Sequence, residues 1–149
     1  MEFKIYTNYE KFKGFNVIKD NDAFFYENVS AENFSDIEID VMKDIDNAEL
    51  LDDKYGKIQT PRGICSIENL STGCKTILNY LYICNSNMNI DAIDITGCGA
   101  NAIEKLFQVM EIKGETVNLI LMHKDKLFDC NDREYIIDDI KSINSLLYM

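Results

Sequence analysis

"NIDAIDITGCGANAIEKLFQVMEIKGETVNLILMH", Asn89 to His123, decides the fold. "NIDAIDIT" (Asn89–Thr96) has the alternation of a strand. "GCGAN" is a turn. In "NAIEKLFQVMEI" (Asn101–Ile112), Ile103, Leu106, Phe107 and Met110 recur at steps of three and four, so one face of a helix is apolar. Lys113-Gly114 stops that helix. "TVNLILMH" (Thr116–His123) is a nearly unbroken apolar run, as a central strand covered on both faces requires.

Working outward, "FKIYT" (Phe3–Thr7) and "AFFYENV" (Ala23–Val29) are aromatic and β-branched and read as strands. "SAENFSDIEIDVMKDIDNAEL" (Ser30–Leu50) reads as a helix capped by Ser30, with Phe34, Ile37, Val41, Ile45 and Ala48 on one face. Its inner piece "DIEIDV" also alternates, as a strand would; the helical pattern covers more residues. Pro61 in "QTPRG" marks a loop. Ser71 or Thr72 caps a helix running to about Cys84. "KLFDC" and "REYII" flank Asn131-Asp132, a hairpin signal, and "DDIKSINSLLY" closes the chain as a helix. These elements predict an α+β or α/β fold, a single domain over residues 1–149 with helices packed on a mixed sheet. The length, 149 residues with 46% hydrophobic, suits one core.

Charge narrows the function. The chain has 26 acidic and 15 basic residues, a net charge of −11. Nucleic acid and anionic membranes repel such a surface. No apolar run approaches a membrane span, and the opening residues do not read as a signal peptide. Five scattered cysteines without C-x-x-C pairing read as reduced thiols, and a cytoplasmic location is expected. Zinc would need clustered ligands, and no cofactor is expected.

Two glycine turns invite a phosphate-binding reading. In "LSTGCKTIL" (Leu70–Leu78) Cys74 separates Gly73 from Lys75. Glu68 stands where a phosphate-binding loop has its first glycine, so that motif fails. Gly97, Gly99 and Ala102 have the spacing of a dinucleotide fingerprint, but too few βα units follow. His123, the lone histidine, is expected to be structural; a dyad with Cys98 or Cys130 is conceivable but requires a proximity that sequence does not show. "DIDNAE" (Asp44–Glu49) lacks the glycine and third oxygen of a calcium loop.

The acids cluster. Asp36, Glu38, Asp40, Asp44, Asp46, Glu49, Asp52 and Asp53 fall within 18 residues, opposed only by Lys43. On a helix Asp36, Asp40 and Asp44 form one ridge, suited to a basic partner.

"KDIDNAEL", "GKIQTPRGICSIENLSTGCKT" and "ITGCGANAIEKLF" resemble a small bacterial family of domains of unknown function, over roughly residues 43 to 110. In that family a small apolar residue takes the place of Cys74. The resemblance implies a small bacterial cytoplasmic protein and no catalytic residue. The expectation is an acidic, non-enzymatic immunity protein or antitoxin covering the active site of a basic, nuclease-type toxin encoded nearby. The alternatives are a small nucleotide- or anion-binding enzyme using the Gly73 and Gly97 turns, and a regulatory or scaffold protein.

Overall fold

A computed structural model describes residues 2–19, 24–26, 29–51, 56–122 and 134–137. The fold is α+β, and its contacts divide into two compact units, residues 1–22 with 88–149 and residues 23–87.

The first unit is built on a mixed sheet. Its strands are β1 (Phe3–Tyr6), β2 (Val17–Ile18), β6 (Ala92–Asp94), β7 (Asn118–Ile120) and β8 (Glu134–Ile137). Their order is β2-β6-β7-β1-β8. β2, β6, β7 and β1 run parallel, and β8 pairs antiparallel to β1. The apolar run at 116–123 does supply the middle strand, and Leu119 and Ile120 are fully buried. α3 (Ala100–Lys113) buries the expected face, Ile103, Leu106, Phe107 and Met110, together with Val109. Phe107 meets Phe3 of β1 at 4.4 Å between ring centres. Each such side chain withdrawn from water contributes about 1.5–3 kcal/mol. Gly114 ends α3 at φ 71°, donating to the Met110 carbonyl over 2.9 Å. That left-handed conformation is costly for residues with a Cβ.

The second unit holds α1 (Asp36–Asp46), α2 (Thr72–Ser86) and an antiparallel sheet of β3 (Glu49–Leu50), β4 (Lys57–Thr60) and β5 (Gly63–Ser66). Several expectations change here. The helix does not start at Ser30. A short 3-10 turn, Ala31–Asn33, comes first, and Ser35 caps α1. The strand alternative for "DIEIDV" gives way to that helix. The expected strand 23–29 is a turn at Phe25–Tyr26 where described. Phe25 stacks on Tyr82, Tyr26 lies against Phe34, and the Phe25 amide donates to Asn79 Oδ1. These aromatics pack by their rings rather than through a strand ladder. Pro61-Arg62 is a tight hairpin turn joining β4 to β5, two strands that the polar pattern of 57–66 hides. The 126–130 strand, the Asn131-Asp132 turn, Arg133 and the C-terminal helix lie outside the described residues, while Glu134–Ile137 of the expected second strand form β8.

Candidate functional site

The acidic segment separates into three kinds of carboxylate. Asp36, Asp40 and Asp44 are exposed along α1, one turn apart. Glu49 is exposed on β3. Glu38 and Asp46 are turned to other work, and Asp52 and Asp53 lie outside the described residues.

Glu38 is only 3% exposed, so it is not part of the ridge. Its Oε2 accepts from the Ser35 amide at 2.5 Å and from the Ser35 hydroxyl, closing a capping box. Its Oε1 accepts from the Tyr26 hydroxyl at 2.6 Å. Burial first, and this carboxylate second, hold the Tyr26 phenol well above its ordinary range. The sequence signal was available: Ser35 and Glu38 have S-x-x-E spacing.

Asp46, half-buried at the end of α1, accepts from the Ser71 amide at 2.8 Å. Ser71 caps α2, and its hydroxyl accepts from the Cys74 amide at 3.3 Å. Lys75 is directed to the Glu68 carbonyl at 3.3 Å. Thus a carboxylate and a serine already serve the start of α2, and a phosphate there would meet the Asp46 charge. Cys74 is fully buried, and burial, then Asp46, push its thiol above the usual range. At the other glycine turn Gly99 caps α3 with φ −72° and open space where a Cβ would stand. Neither a left-handed backbone nor close packing therefore requires glycine at 99.

Beside the end of α1 lies an open groove of about 630 Å³. It is lined across by Ile45, Asp46 and Leu70 and along β5 by Gly63, Ile64 and Cys65. No local sequence pattern marks it, because the 57–66 segment carries no alternation that would declare β5 a strand.

In the first unit Asp94 ends β6 and is 8% exposed. It accepts from the Tyr9 hydroxyl and, at 2.9 Å, from the Thr96 amide. Thr96 Oγ1 accepts from the Met122 amide at 2.9 Å. These bonds tie together the segments that follow β1, β6 and β7, the end of a parallel sheet where ligands commonly bind. Among the described residues no trio of His, Cys, Asp or Glu could hold a metal ion, and no helix is long and apolar enough to cross a membrane. His123 and Cys130 lie outside the described residues.

Comparison of the chain with protein families, curated proteins and solved structures finds no match.

Proposed function

We propose that this chain is an acidic inhibitor. It binds a basic, nuclease-type toxin domain encoded beside it and covers that domain's active site. The observation that carries the reading is the exposure of Asp36, Asp40 and Asp44 at successive turns of α1. Nuclease clefts are cationic because they hold phosphates. An acidic helix face matches such a cleft and accelerates encounter. Glu49 is a further exposed acid in the same unit. Glu38 and Asp46 support α1 and α2 from within.

A rescue assay tests this. The neighbouring gene is expressed in a test bacterium with and without this chain, and survivors are counted. Growth restored by this chain supports the reading. A harmless neighbour, or killing that this chain does not prevent, overturns it. In vitro, Asp40→Lys with Asp44→Lys is expected to slow association with the toxin about tenfold at low salt.

A further inference from the structure

The antiparallel sheet of the second unit has two unlike edges. β3 is two residues long and carries Glu49, and short, charged strands discourage further pairing. β5 reads Gly63-Ile64-Cys65-Ser66, with no charge and no proline. Among the described residues it pairs with β4 alone.

The register fixes which backbone groups face outward. The Ile67 amide donates to the Gly56 carbonyl at 2.8 Å, so that pair is hydrogen-bonded. Bonded and non-bonded pairs alternate along an antiparallel ladder. Ile58 with Cys65 and Thr60 with Gly63 are therefore bonded pairs, while Lys57 with Ser66 and Gln59 with Ile64 are not. The N–H and C=O of Ile64 and the N–H of Ser66 point away from β4.

Side chains divide between the two faces of the sheet. Residues paired across strands share a face. Ile58, opposite Cys65, is fully buried. The other face carries Glu49, Lys57, Gln59, Ile64 and Ser66. Ile64 is the one apolar residue in that set, and it is 54% exposed. The groove beside the end of α1 is lined on β4 by Ile58 and Thr60 and on β5 by Gly63, Ile64 and Cys65, so it opens over the Ile58–Cys65 face and reaches the β5 edge.

We propose that β5 is a strand-addition site for an extended peptide segment of a protein partner. The segment has apolar side chains at alternate positions and a net positive charge. Its backbone pairs with Ile64 and Ser66. One set of its side chains covers Ile64, and the alternate set enters the groove among Ile45, Leu70 and Cys65. Charge selects this occupant over a second copy of the chain: each copy carries −11, and Asp46 lines the groove. Arg62, at the hairpin turn, is the groove's one cationic lining residue among those described. Only the positive charge of the segment rests on the inhibitor reading above; the strand pairing does not.

The test selects a random-peptide display library against the whole chain. The resulting synthetic peptides are then measured by titration and by amide exchange. The expected peptides are basic with alternating apolar residues, and they slow exchange at the Ile64 and Ser66 amides about tenfold or more. Ile64→Lys puts a charge on the edge and is expected to lower their affinity about tenfold. Its thermal melt should match the parent because Ile64 is exposed. Should that variant not fold, the exchange result on the unaltered chain decides. No binders, or binders that leave Ile64 exchange unchanged, overturn the proposal. So does dimerisation of the chain that Ile64→Lys abolishes, since the occupant would then be a second copy. Failure of the rescue assay with success here removes the toxin reading and leaves the strand-addition site standing.

Discussion

Glu38 shows how far a single carboxylate can be diverted from the role its neighbours play. It lies two residues from Asp36 and two from Asp40, yet it faces inward and accepts from Tyr26 and Ser35. Replacing it leaves a buried phenol without an acceptor and opens the cap of α1. Glu38→Ala is expected to destabilise the fold by roughly 2–3 kcal/mol in urea titrations. Tyr26→Phe combined with it should cost less than the two single changes added, because both remove one bond. The raised Tyr26 phenol also has a pH signature. A group whose folded pKa exceeds its unfolded value stabilises fully below the unfolded value. That stabilisation fades as pH rises above about 10. The melting temperature of the parent should therefore fall more steeply above that pH than that of Tyr26→Phe. The same reasoning makes Cys74 inert. Buried and held protonated, it should react with an alkylating reagent in the native state far more slowly than half-buried Cys65, Cys84 and Cys98. Equal labelling by mass spectrometry would contradict the burial.

At the scale of elements, α1 has a buried apolar face and an exposed acidic one, the latter being the binding surface of the inhibitor proposal. Val41 and Met42 are buried, and Asp36, Asp40 and Asp44 are exposed. Charge reversal at Asp40 and Asp44 should alter stability by no more than about 0.5 kcal/mol each, while slowing partner association. Stability and binding that fell together would mean that the ridge supports the fold. The helical segments with clear apolar periodicity, α2 and α3, were legible in the sequence, as was the central strand β7, because burial and period agreed there. β4 and β5 were not. Their outward residues are polar or isolated, and their pairing is fixed by the Pro61-Arg62 turn and a register no local pattern encodes. The 23–29 segment failed for the opposite reason. Its aromatic residues have high strand propensity, but Phe25 stacks on Tyr82 and Tyr26 meets the same ring edge-on, so tertiary ring packing overrides the local preference. The acid ridge was visible as spacing, and the withdrawal of Glu38 was legible in its S-x-x-E spacing from Ser35; that of Asp46 depends on Ser71, far along the chain.

Over the whole molecule, a charge of −11 acts on folding and on binding with opposite signs. Within the chain, like charges repel and the compact state concentrates them, so the native fold works against its own field. Added salt screens that repulsion, with a Debye length falling from about 30 Å at 0.01 M to about 8 Å at 0.15 M. Stability should therefore rise over this range, read as a higher melting temperature in sodium chloride. If the inhibitor proposal holds, the same field attracts the cationic toxin at long range, and the same screening weakens it. The association rate should fall about tenfold or more over that range while dissociation changes little. Asp40→Lys with Asp44→Lys brings the charge to −7, and the salt dependence of both quantities should flatten together. If association proves insensitive to salt while stability responds, the field of the acidic surface governs only the fold. Recognition would then rest on shape and backbone pairing of the kind β5 offers, and Ile64→Lys would become the more damaging change.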